Sequence, residues 1–240
     1  MRTIAYITDI HLDEEFPAQY GVHTRKNWER ILEDIDKKNI DEVIYGGDIG
    51  ELTSNEFFFD SLKEYSKNMK ITLGNHDKFE EVSKHYTNKY ITNRKELYYS
   101  FEDEYFKHIY LDTSSYKLSQ TQLEWLTNEV ITEKEILLFI HHTVLPINAV
   151  LDTPYSLRNQ EAVREVLLRC NNKVKIFCGH YHMPDERTYN NITQFITPVS
   201  SYQVKKDSDT VEIVTDHFGY RLITIDNGNV DSEVLLFRTS

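Results

Sequence analysis

The sequence predicts an α/β fold in which parallel strands are covered by helices. Two observations lead to this fold class. Short β-rich runs alternate with segments of helical periodicity, and most of these runs end in Gly, Asp, Asn or His. Polar clusters of this kind are typical of the ligand-binding edge of a parallel sheet. The 240 residues contain no repeat, low-complexity stretch or linker, so we expect a single domain over residues 1–240.

The first part of the chain follows the order strand, helix, strand, helix, strand. Its β-rich runs are residues 2–8, 41–45 and 70–73. Apolar residues from Trp28 to Ile35 recur at helical spacing after Thr24, a residue type that caps helices, and a second helical pattern follows Ser54. Strands joined by helices pair in parallel, so we expect a parallel sheet with helices packed on it.

The second part of the chain adds further strands. The predicted elements are paired strands at 97–101 and 105–111, a helix opened by the capping box Ser119–Gln122, a strand at 135–140, a helix at 159–170 and a strand at 174–178. From about Thr188 onward, apolar and polar residues alternate between turn signals. We expect this tail to be an antiparallel section that completes a second sheet.

The charge and the cysteine content exclude several classes of protein. The formal net charge is −12 and no basic face is visible, so nucleic acid is not an expected partner. Two cysteines, Cys170 and Cys178, do not make a disulfide framework and are expected to be free thiols. No stretch approaches the ~18 apolar residues of a transmembrane helix, and residues 2–8 lack the pattern of a secretion signal. We therefore expect a cytoplasmic protein without a membrane partner.

Five polar clusters follow five of the predicted strands. They are Asp9 and His11 in D-x-H, Asp48 in G-G-D, Asn75 and His76 in G-N-H-D, His141 in an H-H pair, and His180 and His182 in G-H-x-H. Each motif alone is more often a turn, a helix cap or a hydrogen-bonded structural histidine than a ligand. Five such clusters in one α/β pattern instead indicate a metal site, and oxygen and imidazole donors without thiolates suit Zn, Mn or Fe.

The ordered motifs resemble those of the calcineurin-like metallophosphoesterases, and the resemblance extends from Asp9 to His182. Further stretches resemble the class III 3′,5′-cyclic-nucleotide phosphodiesterases within that superfamily, namely residues 111–126, 157–182, 197–204 and 219–230. The resemblance implies a four-layer α/β/β/α sandwich of two mixed β-sheets flanked by helices. It also implies two divalent or mixed-valence metal ions (Mn, Fe or Zn) at the sheet edge.

The resemblance further implies a role for each residue of the clusters. One metal would be held by Asp9, His11 and His182, the other by Asn75, His141 and His180, with Asp48 as the bridge and His76 beside the leaving group. A water that bridges two divalent cations loses a proton near neutral pH and becomes a nucleophile. An imidazole is a suitable proton donor to the leaving oxygen, so His76 fits the role of general acid.

For several neighbouring residues the sequence allows more than one role. Asp77 either orients the His76 ring or caps the following helix, and His142 lies either behind the ligands or against the substrate. His141 is preferred to His142 as the ligand through the family's H-x-P pattern, although Pro146 follows later here than in that pattern. The acidic run 13–15 is expected to be a solvated loop that can shape the mouth of the site.

The resulting functional prediction is a metal-dependent hydrolase of phosphodiesters, with cyclic nucleotides among the expected substrates. A phosphomonoesterase or nucleotide pyrophosphatase of the same superfamily uses the same ligands and stays an alternative. A catalytically silent metal-binding scaffold is a further alternative, but such a scaffold should lack a ligand or the acid histidine, and here every position is filled. The expected partner is a small phosphoester, including nucleotides. The sequence does not set the oligomeric state.

Overall fold

The computed structural model describes residues 1–65, 69–91 and 93–239. The strands within these ranges are β1 (Arg2–Ile7), β2 (Glu42–Tyr45), β3 (Lys70–Ile71), β4 (Tyr99–Glu102), β5 (Phe106–Tyr110), β6 (Glu135–Phe139), β7 (Val174–Cys178), β8 (Asp185–Tyr189), β9 (Ile192–Ile196), β10 (Gln203–Val204), β11 (Ile213–Val214), β12 (His217–Asp226) and β13 (Asn229–Arg238). The predicted order of the first three strands is confirmed, and the strand predicted at 174–178 has the predicted bounds.

The helices within the described residues are α1 (Glu15–Gln19), α2 (Thr24–Lys38), α3 (Asn55–Tyr65), α4 (Phe79–Val82), α5 (Gln120–Glu129) and α6 (Gln160–Leu168). Helices α2, α3, α5 and α6 occur where the sequence predicts them, whereas the apolar periodicity does not predict the short helices α1 and α4. Helix α2 buries Trp28 and Ile35 on one face and ends at Asn39 in the left-handed conformation. The start of α5 uses only half of the predicted capping box: the Ser119 hydroxyl accepts from the Gln122 N–H, while the Gln122 side chain bonds the backbone of Asp112.

The strands form two large mixed sheets, as predicted. In the first sheet the order is β13-β12-β1-β2-β3, with β1, β2 and β3 parallel to one another. In the second sheet the order is β4-β5-β6-β7-β9-β8, and its four central strands are parallel. Strands β10 and β11 form a separate two-stranded ribbon. The loops that follow the parallel strands of both sheets carry the polar clusters.

The prediction for the tail is wrong in two respects. Strand β9 pairs with β7 in parallel, because the hairpin of β8 and β9 places β9 on the inside. Strands β12 and β13 join the first sheet rather than the second, with β12 antiparallel to β1. Without β12, the side of β1 that does not pair with β2 would leave a row of backbone N–H and C=O groups without partners. The end of the chain is therefore needed to complete the first sheet.

Alternation along β6 shows how the layers pack. Leu137 and Phe139 point to the cluster between the two sheets, whereas Ile136 and Leu138 point to the cluster beneath α5 and α6. The inter-sheet layer is aromatic, and Tyr6 lies against Phe139 with ring centroids 5.8 Å apart. Helices α2 and α3 cover the outer face of the first sheet, which gives the predicted order α/β/β/α.

Within the residues that the structure describes, no helix combines the length and the apolar character needed to cross a membrane. Cys170 and Cys178 are free thiols, as expected, and Cys178 is buried in β7.

Candidate metal centre

The predicted ligands meet where the parallel strands of both sheets end. Asp9 follows β1, Asp48 follows β2, His141 follows β6, and His180 and His182 follow β7. Backbone hydrogen bonds tie these loops together, such as Asp9 N–H to the Gly47 carbonyl at 2.9 Å and Gly179 N–H to the His141 carbonyl at 3.0 Å. Because the ends of parallel strands share one edge, residues far apart in the chain become neighbours.

The loops hold the ligands in a backbone conformation that residues with side chains rarely adopt. Positive φ angles occur at Asp9 (54°), His11 (50°), Asp48 (61°), His180 (68°) and His182 (54°). Each such residue costs about 1–3 kcal/mol and persists only where its surroundings impose it, which is typical of functional sites. Gly74 is required for a different reason, since a Cβ there would collide with the Asp48 carboxylate.

The first cluster consists of Asp9, His11 and His182. Asp9 Oδ1 lies 3.2 Å from His182 Nε2, and the Nε2 atoms of His11 and His182 are 3.2 Å apart. The other Asp9 oxygen is already held, because it accepts from the Thr8 hydroxyl at 2.5 Å and from the His180 N–H at 3.1 Å. Asp9 Oδ1 is buried without a hydrogen-bond partner, so it is free to bind a cation.

The second cluster consists of Asp48, His141 and His180, with Asn75 beside it. Asp48 Oδ2 lies 3.2 Å from His141 Nε2 and 3.9 Å from His11 Nε2, so this carboxylate stands between the two clusters. Its other oxygen accepts from the His76 N–H at 2.9 Å. The side-chain oxygen of Asn75 is buried without a partner and lines the same cavity. A bridging position for Asp48 is therefore geometrically available.

Backbone carbonyl groups orient three of the imidazoles. The contacts are His141 Nδ1 to Gly46 O at 2.8 Å, His180 Nε2 to Tyr155 O at 2.8 Å, and His182 Nδ1 to Tyr202 O at 2.9 Å. A carbonyl oxygen only accepts, so the nitrogen that faces it carries a proton. The opposite nitrogen of each ring is left for a cation, which is the usual arrangement of a metal-ligating histidine.

The electrostatics of the clusters require positive charge. Burial alone would lower the pKa of His141, but Asp48 and Asp9 outweigh burial and raise that pKa to about 10. Burial would raise the pKa of Asp9, yet His141 and His182 hold it below its ordinary value. The two buried carboxylates therefore favour a proton on His141. A divalent cation bound between them would displace that proton, so metal binding should release protons. The orphaned oxygens and the oxygen and nitrogen donors fit a pair of divalent cations.

His76 lies at the rim of the site. Its side chain is 43% exposed, its ring centroid lies 4.7 Å from that of His11, and it lines the cavity above the clusters. A hydrogen bond with Glu14 raises the pKa of His76 to about 9 against the opposing effect of burial. This position between the ligands and the open cavity is compatible with the role predicted for His76.

Asp77 has neither of the two roles considered for it. Its carboxylate accepts from the backbone N–H groups of Asp48 and Gly74, both at 2.8 Å, and of Ile49 at 3.0 Å. Helix α4 begins later, and Lys78 occupies its N-cap position. Asp77 therefore joins the loop after β3 to the loop after β2, because the buried N–H groups of those turns need an acceptor.

His142 is completely buried and does not line the cavity. Its Nδ1 lies 2.8 Å from the Thr113 hydroxyl, and its ring centroid is 4.0 Å from that of His180. Of the two interpretations kept for it, the structure supports a place behind the ligands.

The sequence interpretation missed several residues around the site. The cavity has a volume of about 200 Å³, and its aromatic walls are Phe16, Tyr116, Tyr155, Tyr181 and Tyr202. Glu14, expected in a solvated loop, instead contacts His11 and His76. The one available signal was its position three residues after His11. Nothing in the sequence indicates which backbone carbonyl groups face the histidines.

Comparison with known proteins places these features in a family. The family model "Calcineurin-like phosphoesterase" matches residues 2–184. The 3′,5′-cyclic adenosine monophosphate phosphodiesterase of Haemophilus influenzae is 28% identical over 242 residues, which cover 95% of this chain and 87% of the relative. A probable cyclic nucleotide phosphodiesterase of Fibrobacter succinogenes is 27% identical over 206 residues, covering 84% and 80%. A dimetal phosphatase structure from Danio rerio has a TM-score of 0.67 at 15% identity, covering 100% and 99%.

The family match covers well over half of the chain and includes every predicted ligand from Asp9 to His182. The two mixed sheets flanked by helices agree with the fold of the zebrafish phosphatase. The chain therefore belongs to the calcineurin-like phosphoesterase family and is a metal-dependent phosphoesterase.

Proposed function

We propose that this protein hydrolyses phosphodiesters and that cyclic nucleotides are its substrate class. The observation that carries the proposal is the pair of ligand clusters joined by Asp48 at the base of a cavity, with His76 at its rim. The names of the curated relatives, which are cyclic nucleotide phosphodiesterases, support the choice of substrate.

The ligand set of the proposal has two parts that share one carboxylate. Asp9, His11 and His182 would hold one cation, and Asn75, His141 and His180 the other, with Asp48 between them. Mn, Fe and Zn suit these donors. Two such cations supply Lewis-acid polarisation of a phosphoryl oxygen and lower the pKa of water to near neutrality. Proton transfer to the leaving oxygen, in contrast, requires a side chain of the protein.

His76 supplies the proton for the leaving oxygen. Its backbone N–H is fixed on Asp48, and its Nδ1 is fixed on Glu14 at 2.9 Å, so the other ring nitrogen is free to face the cavity. An alkoxide is a poor leaving group without a proton, and general acids contribute ~10²–10⁴-fold in such steps. The left-handed backbone of the ligand loops keeps the clusters at the cavity floor, where a phosphate would lie.

The cavity favours a monoanionic diester over a dianionic monoester. Within the part of the chain that the structure describes, no Lys or Arg lines it, whereas the Glu14 carboxylate lies directly behind His11 and His76. A second phosphate charge would therefore find no lysine or arginine in the described lining. The walls of Phe16, Tyr155 and Tyr202 instead offer flat apolar surfaces of the kind that a nucleobase or an aryl group contacts.

The proposal is tested with purified protein and Mn²⁺ on bis(4-nitrophenyl) phosphate, 4-nitrophenyl phosphate and a panel of 3′,5′-cyclic nucleotides. We expect diester hydrolysis that a chelator abolishes and that His76→Ala lowers ~100-fold on cyclic nucleotides. His23→Ala, which changes an exposed histidine, is the matched control. Faster turnover of the monoester would favour a phosphatase. Two bound metal ions without turnover of any substrate would favour the scaffold alternative.

A further inference from the structure

Glu14 contacts two imidazoles of the proposed site. It lies in the loop between β1 and α1, and its side chain is only 13% exposed. Oε2 is 3.0 Å from His11 Nδ1, and Oε1 is 2.9 Å from His76 Nδ1. The two rings meet edge to face, with centroids 4.7 Å apart. One carboxylate thus spans a candidate metal ligand and the candidate proton donor.

The ordinary roles of a glutamate at this place are not taken. Glu14 occupies the N-cap position of α1, yet its side chain makes no capping hydrogen bond. Among the described residues its only ion pairs are those with His11 and His76. Its neighbours serve the outer surface instead, since Asp13 binds Arg25 and Glu15 binds Gln19. The direction of the Glu14 side chain is therefore specific to the two histidines.

We propose that Glu14 is a positioning residue that couples the orientation of the His76 ring to the metal ligand His11. This inference rests on the proposed function. The Asp48 contact fixes the backbone of His76, but it leaves the ring free to rotate. The hydrogen bond to Glu14 stops that rotation and holds the Nδ1–H group, so that the second proton of the imidazolium, on Nε2, faces the leaving oxygen and is the one transferred to it. The second Glu14 oxygen likewise holds the Nδ1–H group of His11, leaving its Nε2 to the first cluster.

Because each Glu14 oxygen serves one histidine, substitutions that remove one or both acceptors should lower the rate to different extents. Glu14→Ala removes both acceptors, whereas Glu14→Gln keeps one carbonyl oxygen and presents an NH₂ group to the other ring. Partners of this kind typically contribute 10–100-fold. We expect kcat on a diester with a poor leaving group to fall ~50-fold in Glu14→Ala and ~10-fold in Glu14→Gln. KM should change less than kcat, because no contact with the substrate is removed.

The kinetic test uses aryl methyl phosphates whose leaving groups range from 4-nitrophenol to phenol, with bound metal measured for every variant. Loss of an effective acid should matter little for 4-nitrophenolate and most for phenolate. We expect a steeper dependence on the leaving group in Glu14→Ala and in His76→Ala. When rates are expressed per bound metal, the double variant should be no worse than His76→Ala alone. Glu15→Gln is the matched control, since Glu15 is exposed and its side chain accepts a hydrogen bond from Gln19 on the same short helix.

The second test is independent of turnover. Side-chain ¹⁵N–¹H NMR of the Zn²⁺-loaded protein reports whether Nδ1 of His76 carries a proton that a hydrogen bond protects from exchange with water. We expect an Nδ1–H signal in the wild type and in Glu15→Gln, and its loss in Glu14→Ala. An unchanged signal in Glu14→Ala overturns the inference, even for a protein that cleaves no diester. An equal rate loss for all leaving groups also overturns it, because Glu14 would then act through His11 alone. Absence of diester turnover in the wild type contradicts the proposed function instead.

Discussion

Gln194 on β9 provides a direct test of how the loop after β6 is held. Its side chain is completely buried. The Oε1 atom accepts from the N–H groups of Val144 and Leu145 at 2.7 and 2.8 Å, and Nε2 donates to the Leu145 carbonyl at 2.9 Å. One amide thus satisfies three backbone groups of a loop that follows His141 and His142. Gln194→Leu keeps the size of the side chain and removes all three bonds.

The expected cost follows from these contacts. Val144 and Leu145 are both buried, so water cannot readily replace the lost partners. A buried polar group left without a partner costs about 1–3 kcal/mol, which gives roughly 3–9 kcal/mol for three groups. Burial of an apolar leucine in place of an amide returns ~1–2 kcal/mol. We therefore expect Gln194→Leu to lower the free energy of unfolding by ~4 kcal/mol, near the middle of the resulting range, a change that a protein of ordinary stability survives.

The measurement is urea unfolding monitored by fluorescence, with and without added Mn²⁺. The midpoint should fall while the dependence on urea stays the same, because the folded and unfolded surfaces are unchanged. Gln120→Leu is the matched control, since Gln120 is exposed on α5 and donates to Glu124 one turn further along the helix. The effect of this control on the free energy of unfolding should stay within about 0.5 kcal/mol. A loss below 1 kcal/mol in Gln194→Leu would refute the reasoning, because the loop would then have found other partners.

Two further predictions concern metal and pH. Removal of bound metal by a chelator should lower the unfolding midpoint, since a ligand present at 100 times its Kd stabilises by ~2.7 kcal/mol; equal midpoints with and without Mn²⁺ would contradict the metal centre. At the opposite end of the second sheet, burial opposes ionisation of Asp103. The hydrogen bonds from His108 and from the backbone N–H groups of Phe106 and Tyr105 together outweigh burial and hold the pKa of Asp103 below its ordinary value. Such a carboxylate stabilises the fold above its unfolded pKa of ~3.9 and loses that contribution as pH falls. The stability advantage of wild type over Asp103→Asn should therefore be full at pH 6 and shrink below about pH 4, and a difference that grows on acidification would exclude this account.

Much of the candidate site could be predicted because strand ends are visible in a sequence. Asp9, Asp48 and His141 each follow a β-rich run, and the carboxyl ends of parallel strands meet at one edge. The order of strands and helices in the first part of the chain was sufficient to place them there. The resemblance to a family then added the division into two clusters. In the structure Asp9, His11 and His182 lie together, as do Asp48, His141 and His180.

Contacts that depend on side-chain direction could not be predicted in the same way. Asp77 turns to the backbone of the neighbouring loop instead of to His76 or to α4, because three buried N–H groups need an acceptor there. Glu14 was indistinguishable from its acidic neighbours until its two histidine partners were located. Both outcomes follow from the packing of loops against each other, which leaves no periodic pattern in the chain.

By itself, the sequence determined the α/β class, the strand-end ligands and the family, because these depend on local periodicity and on the order of motifs along the chain. Only the tertiary structure decided that β12 and β13 complete the first sheet, that carbonyl groups orient His141, His180 and His182, and that Glu14 spans two histidines. The physical reason is the same in each case. Unpaired backbone groups and buried polar atoms take partners from whichever segment the fold brings near, and that segment is distant in sequence.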